Sequence, residues 1–357
     1  MAIGDVVYPH KDNVEITGLT LNSTWQTATL GVLDLNILKH ADPKMVIVRV
    51  DNTSGASRDV YIADAITALI RQTMPTGTTV TFGVNLNIYN QFVYYVTGTG
   101  VQFYLESEWG GDDYVPYTVN YASRLVPNTG TLWVTHDIST DANVVANGDS
   151  GNIGMIVYIG TGDASSGRIG TRKVGDASND RWSLDDWAQK VDFEIVDEND
   201  QFQTWTEHYA EGKAAAADHT FIYKIGYVKA RSDMFVEAPD VYETTVGDYT
   251  AGSWALLSYP RKEPFDVIAV IVNYIYSQAV GAITVNQRED GSTDPTLTID
   301  PYNWVTRVIR LNSAEEFEYY RQTGTITARF YIRAVFFRKP GGNKLRDFTN
   351  FNQWRYT

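Results

Sequence analysis

Four landmarks recur three times, in the same order, along this chain. A Trp after small or polar residues opens each unit: "NSTW" at Trp25, "TGTLW" at Trp133 and "TAGSW" at Trp254. An apolar run follows: "MVIVRVDN" (45–52), "MIVYIGTG" (155–162) and "VIAVIVNY" (267–274). Next comes an alternating stretch: "VTFGVNLNIYN" (80–90), "VDFEIVDEN" (191–199) and "VTRVIRLN" (305–312). An aromatic closing segment starts at Phe92, Phe202 and Phe317. A fifth landmark, a basic-to-Gly turn, appears only in the later two units, as "RKVGDAS" (172–178) and "REDGST" (288–293). The opening Trp and closing Phe are 67, 69 and 63 residues apart. Ordered landmarks at near-constant spacing point to a tandem repeat of one structural unit.

Period-2 alternation dominates within each unit, and Gly, Asn, Asp and Thr turns recur at short intervals. That pattern specifies an all-β fold of sandwich or barrel type. In 327–337, Ala328, Phe330, Ile332 and Ala334 are expected to share one face. About 100 residues and seven or eight strands per unit suit one β-sandwich. The expected architecture is three tandem antiparallel, jelly-roll-like β-sandwich domains, 1–115, 116–235 and 236–339, followed by a C-terminal aromatic arm, 340–357. Two segments read as short helices, 64–74 ("DAITALIRQTM") and 183–190 ("SLDDWAQK"). The stretch "DANVVANGDSGN" (141–152) reads as a polar turn.

The formal charge is −14, which argues against uniform attraction to nucleic acid or an anionic membrane surface. The chain has no Cys, so disulfides, thiol catalysis and Cys-based zinc sites are excluded. No Sec-type signal peptide and no membrane-length apolar stretch is visible, and cytoplasmic synthesis is expected.

Candidate chemistry is sparse. "GDSGN" around Ser150 resembles the nucleophile motif of chymotrypsin-like serine proteases. That family places its His and Asp well upstream, and only His10, His40 and His136 precede Ser150 here. "DENDQ" (197–201) lacks calcium-loop spacing and reads as a hairpin turn. His208 and His219 alone do not make a metal site. Glu315–Glu316, Asp185–Asp186 and Glu106/Glu108 are paired carboxylates with no evident cleft, expected on solvated faces. "TGTG" (97–100) reads as a hairpin turn, not a phosphate cradle. No catalytic residue, metal ligand or cofactor is assigned.

Aromatics carry more signal. Trp109, Trp182, Trp187 and Trp205 lie near turns or strand ends and are candidate surface platforms for glycans or protein partners, the competing reading being burial in the core for about half of them. Phe348, Phe351, Trp354 and Tyr356 make the arm a candidate docking element, the competing reading being a strap folded onto its own domain. The third unit, with Trp254, "VIAVIVN", "REDGS", "EFEYY" and "FYIRAVFF", resembles a small β-sandwich module of tailed-bacteriophage virion proteins. The second unit fits partly, and the first lacks the Arg–Gly turn. The resemblance implies a non-enzymatic structural role in head decoration, a fibre or the tail, virion localisation, and other virion proteins or further copies as partners. The alternatives are a jelly-roll capsid shell protein and a carbohydrate- or receptor-binding array.

Overall fold

A computed structural model describes residues 6–30, 37–64, 70–117, 124–125, 133–149, 151–152, 154–161, 167–175, 182–184, 189–208, 220–229, 234–237, 243–245, 252–258, 266–276, 283–299, 304–321 and 328–338. Within these, β-branched and aromatic runs form antiparallel strands in six sheets, as their packing preference requires.

The first eight strands are β1 (Val7–Glu15), β2 (Gln26–Thr29), β3 (Pro43–Asn52), β4 (Arg58–Ala63), β5 (Ile70–Met74), β6 (Thr79–Asn85), β7 (Gln91–Val96) and β8 (Val101–Gly110). They form two sheets, ordered β1-β8-β3-β6 and β2-β7-β4-β5. The next group is β9 (Tyr114–Pro116), β10 (Arg124–Leu125), β11 (Val134–Asp137), helix α1 (Ala142–Asn147), β12 (Gly154–Thr161), β13 (Gly167–Lys173), β14 (Trp182–Leu184), β15 (Gln189–Ile195), β16 (Gln201–His208) and β17 (Thr220–Val228). Its sheets run β10-β17-β12-β15, with β9 also on β17, and β11-β16-β13-β14. The last group is β18 (Met234–Glu237), β19 (Glu243–Thr245), β20 (Trp254–Ser258), β21 (Asp266–Tyr276), β22 (Ile283–Glu289), β23 (Leu297–Ile299), β24 (Trp304–Arg310), β25 (Glu316–Arg321) and β26 (Ala328–Arg338). Its sheets run β18-β26-β21-β24, with β19 on β26, and β20-β25-β22-β23.

Each group therefore repeats one jelly-roll order, 1-8-3-6 in one sheet and 2-7-4-5 in the other. We call the groups the first, second and third sheet pairs. The repeat landmarks fall on equivalent strands. The opening Trp precedes or begins the second strand, the apolar run is the third strand, the alternating run is the sixth, and Phe92, Phe202 and Phe317 sit on the seventh. The equivalence extends to residues: Ala28, His136 and Leu257 pair with those three Phe, so Trp25, Trp133 and Trp254 occupy one position.

Turn chemistry repeats as well. The hairpin between sixth and seventh strands is closed by Asn87, Asp197 and Asn312. Each side-chain oxygen accepts two backbone N–H groups, of Tyr89 and Gln91, Asn199 and Gln201, or Ala314 and Glu316. The last turn residue has positive φ in all three: Asn90 57°, Asp200 58° and Glu315 62°. Side chains that capture local N–H groups favour such turns, and "DENDQ" is the hairpin turn its sequence indicates.

Several expectations are corrected. Residues 70–74 form strand β5, laddered to β4 from Arg58↔Met74 to Ile62↔Ile70; pairing prevails over a weak helical pattern, and 65–69 lie outside the described residues. In 183–190, Ser183 and Leu184 belong to β14, and Gln189 and Lys190 open β15; 185–188 lie outside. Within 141–152, α1 replaces the expected turn, ended by Gly148 in the left-handed region at φ 64°, a common glycine helix stop. The shared face expected of 327–337 is broken. Ile332 and Val335 join the core between the third pair's sheets, whereas Ala334 and Phe336 join a cluster shared with the other pairs. The cause is a β-bulge: Ile271 pairs with Ala334 and Val272 with Ile332, leaving Arg333 as an extra residue.

The third strands are apolar on both faces for a related reason. In β21, Val270 and Val272 line the core between sheets, while Ala269 and Ile271 face the shared cluster. In β12, Met155, Val157 and Ile159 face inward and Ile156 outward into that cluster. Gly83, inside β6, leaves room there: a Cβ would stand 2.8 Å from Val191 Cγ2. Gly83→Ala is expected to destabilise the protein by about 1–3 kcal/mol through overpacking. Adding Val191→Ala should recover most of the loss, measured by urea unfolding.

Candidate functional site: the junction of three sheet pairs

The sixth strands β6, β15 and β24 contact one another, bringing three edge strands together. Register places Thr81, Val191 and Thr306 at one equivalent position, opposite Arg49, Tyr158 and Asn273 of the third strands. These three residues meet. Thr306 N donates to Thr81 Oγ1 at 3.0 Å, and Thr306 Oγ1 donates to the Val191 carbonyl at 2.7 Å. An approximate threefold axis therefore passes near this point. Beside it Trp109 stacks on Phe193 with centroids 5.9 Å apart, and Phe336 lies 6.3 Å from Trp109 and 6.5 Å from Phe193. Each fully buried aromatic contributes about 1.5–3 kcal/mol, here from all three pairs at once.

Buried charge surrounds this cluster. Each eighth strand has a bulge at the same register. Ile47 and Val48 skip Glu106, Ile156 and Val157 skip Ile225, and Ile271 and Val272 skip Arg333. The extra residue leaves the ladder and reaches the sixth strand of another pair. Glu106 bonds Arg307 Nε at 2.6 Å, and Arg49 of its own sheet at 2.8 Å. Arg307 also donates to Asn286, to the Gln287 carbonyl and to Asp294. Arg333 meets Glu194 at 2.8 Å and Asp192 at 3.3 Å, and Asn273 donates to Asp192 at 2.8 Å. Ile225 packs where a Cβ on Gly83 would lie, at 3.4 Å, and its carbonyl accepts from Asn85 at 2.9 Å.

Burial alone would push the Glu106 carboxyl up, but Arg307 and Arg49 outweigh it and hold the group below the ordinary carboxylate range. Burial opposes the charge on Arg307 too, and Glu106 and Asp294 restore it, raising its pKa. Asp294 is raised, because burial exceeds the attraction of Arg307.

The turn "REDGST" gains a role here. It carries Asp294 into the network, and its outer side is held by the first pair: Asp12 Oδ1 accepts from Thr293 N at 2.9 Å and Thr293 Oγ1 at 3.0 Å. On the outer sheet faces, Arg288 lies 3.6 Å over Trp254 and Arg172 lies 4.0 Å over Trp133, a favourable cation–π geometry. Trp25 packs instead with Tyr61 and Tyr95, at 5.9 and 5.6 Å.

The expected site residues distribute as follows. Trp109 and Trp205 are each 1% exposed. Both are buried and so are not surface platforms; Trp109 is covered by Phe193 and Phe336 of the neighbouring pairs. Trp182 lies on β14. Trp187, Ser150, His219 and the arm residues Phe348, Phe351, Trp354 and Tyr356 lie outside the described residues. Glu106 and Glu108 are buried, contrary to the solvated face expected. Glu106 serves the junction, and Glu108 accepts from Lys39 N and His40 N and pairs with His10 Nε2 at 2.7 Å. Both carboxylates are thus occupied by structural partners. Among the described residues, no group of three or more His, Asp or Glu is placed to hold a metal ion, and no helix is long and apolar enough to cross a membrane.

Sequence reasoning missed the most exposed apolar pair among the described residues. The three equivalent hairpin tips carry Ile88–Tyr89, Glu198–Asn199 and Ser313–Ala314. Ile88 is 89% and Tyr89 68% exposed. The signal was present in "NLNIYNQ", an uncharged turn with two large apolar residues. It also missed Arg307, Arg333, Ile225 and Gly83, although a glycine within a strand marks close backbone approach.

No protein-family model matches the chain, and no curated protein matches it. Solved structures give distant likenesses. An atomic structure of Sulfolobus Turreted Icosahedral Virus covers 93% of this chain and 91% of that one, at 9% identity and TM-score 0.21. A structure described as the triple jelly roll fold and turret assembly in an archaeal virus covers 94% and 91%, at 8% identity and TM-score 0.20. The tandem CBM22 domains of Paenibacillus barcinonensis Xyn10C cover 64% and 94%, at 9% identity and TM-score 0.18.

The second pair holds a pH-sensitive group apart from the junction. His136 Nε2 lies 2.6 Å from Thr204 Oγ1, and burial lowers its pKa from 6.5 to about 4. The unfolded chain takes up this proton first as pH falls. Its contribution is therefore full above about 6.5 and lost toward about 4, by up to about 2–3 kcal/mol. His136→Gln should flatten that slope in urea melts run at about pH 7 and about pH 4.5.

Proposed function

We propose that this chain is a non-enzymatic virion structural protein of tailed-phage type, acting through protein–protein contacts in head decoration, a fibre or the tail. The observation that carries this reading is the closed junction. Three jelly-roll sheet pairs share one axis, and their facing edges are consumed in mutual contact. Edges of open sheets are aggregation-prone, and a body that covers its three sixth-strand edges in this way is suited to serve as a rigid building block. Chemistry needs convergent groups facing a cleft, whereas the charges gathered here are buried in one another. The jelly-roll capsid shell reading shares this architecture and differs only in where the block sits.

Partner contact falls to the Ile88–Tyr89 tip and the arm. The tip is held in shape by Asn87, so little ordering entropy is lost on binding, and an exposed Tyr is a frequent hot-spot residue. Negative-stain imaging of the purified chain with particles that co-purify with it tests the reading. Density at fixed, symmetric positions supports it, and a chain that never associates with particles overturns it. Ile88→Asp with Tyr89→Asp is expected to weaken particle binding at least about tenfold, roughly 1.4 kcal/mol, with the melting temperature unchanged. Deletion of 340–357 should weaken binding as well; unchanged affinity would show the arm to be a strap.

A second reading rests on Trp25, Tyr61 and Tyr95, a half-buried aromatic cluster on an outer sheet face with no Arg stacked on Trp25 among the described contacts. It suits stacking on a sugar ring. A glycan array with wild-type and Trp25→Ala protein decides this, and the reading requires a signal that the substitution abolishes.

A further inference from the structure

We propose that the bulge residues Glu106, Ile225 and Arg333 are recognition keys that fix the order in which the sheet pairs close around the axis, and that they prevent any pair from closing with its own copies. Each key enters the sixth strand of one particular neighbour. Glu106 of the first pair meets Arg307 of the third, Arg333 of the third meets Asp192 of the second, and Ile225 of the second meets the first at Gly83.

The receiving positions are equivalent in register. Val48, Val157 and Val272, each just past its bulge, pair with Phe82, Asp192 and Arg307. Phe82 is followed by Gly83, where the contact with Ile225 falls, so this stretch of β6 offers Ile225 an apolar, uncharged lock. The three key-and-lock pairs are thus acid with base, base with acid, and apolar with apolar.

Only the observed arrangement matches all three. Three linked units can close around an axis in two senses. The reverse sense would set Glu106 against Asp192, Ile225 against Arg307 and Arg333 against Phe82. The first is like-charge contact, the second takes Glu106 from Arg307 and leaves it Asp294 alone, and the third takes Arg333 from Asp192 and Glu194 and sets it on an apolar stretch. Rings built from copies of one pair fail as well. First-pair copies would set Glu106 against Phe82, second-pair copies Ile225 against Asp192, and third-pair copies Arg333 against Arg307. A buried charge stripped of its partner is strongly unfavourable, and discrimination built from such clashes exceeds what favourable contacts alone supply. This matters because the junction is head-to-tail, and such an interface propagates into open assemblies when it does not close.

The absence of Cys supplies the assay. Asp12→Cys with Thr293→Cys places a reporter where the first pair touches the third. The full chain carrying it is unfolded, refolded dilute under reducing conditions, then oxidised. Intrachain crosslinking is read on a non-reducing gel, interchain association by sedimentation, and strand content by circular dichroism. The reporter alone should crosslink almost completely within the chain. Adding Glu106→Ile should cut that fraction below half and raise association between chains, because the new key fits the apolar stretch at Phe82 and Gly83. Further adding Arg307→Met and Asp294→Asn rebuilds an apolar lock and should restore intrachain crosslinking. If Glu106→Ile leaves crosslinking complete, or the rebuilt lock fails to raise it while strand content is normal, the proposal is wrong. Should these variants lose strand content, Glu106→Gln keeps the shape and removes the charge. It must still lower crosslinking, and a wild-type fraction there overturns the proposal equally.

Discussion

One additional residue in each eighth strand organises the junction. A strand in register sends alternate side chains to its two faces, so an edge neighbour would meet only ladder groups or a flat row of methyls. The bulge takes a single residue out of that alternation and turns it sideways. It also reverses the parity of everything after it. Ile332 therefore faces the core between sheets while Ala334 and Phe336 face the axis. Without the bulge, Phe336 would change faces and the aromatic cluster with Trp109 and Phe193 would lose a member. Geometry of the strand comes first here, and the ion pairs and stacking depend on it.

The ion pairs are not primarily a source of stability. Desolvating Glu106, Arg49, Arg307 and Asp294 together costs much of what their attraction returns, and apolar replacements of such clusters are often as stable or more so. The apolar Ile225 contact shows that a charge is not required for a tight junction. Burial of Trp109, Phe193 and Phe336 supplies the affinity between pairs, and the charges supply its direction. This division explains why three equivalent positions carry three different chemistries.

The fold was more legible in the sequence than the site. Trp25, Trp133 and Trp254, the apolar third strands and the closing Phe residues are local signals that survive divergence, because each serves the same place in the same sheet order. The helix readings of 64–74 and 183–190 failed where strand pairing, a non-local contact, overrode a weak local pattern. The bulges are invisible to alternation counts, since "ARFYIRAVFF" reads as a regular strand until its partner is known. Trp109 was misplaced for a similar reason: a residue near a strand end looks exposed unless the neighbouring sheet pairs, here with Phe193 and Phe336, are in view. Two clues did point to the junction. Third strands apolar on both faces are unusual for antiparallel sheets, which commonly leave one face wet. Gly83 inside "VTFGVN" indicated that another backbone comes close.

Linking three sheet pairs in one chain frees them from identity. In a trimer of identical chains every key faces the same lock, and a ring of one sequence must be self-complementary at each junction. In a single chain the three positions diverge, and here each is incompatible with copies of itself. Divergence reaches the surface as well. The hairpin tips share their backbone hydrogen bonds, yet only one carries Ile88 and Tyr89 while another carries Glu198. Among the three equivalent tips there is thus one apolar contact instead of three.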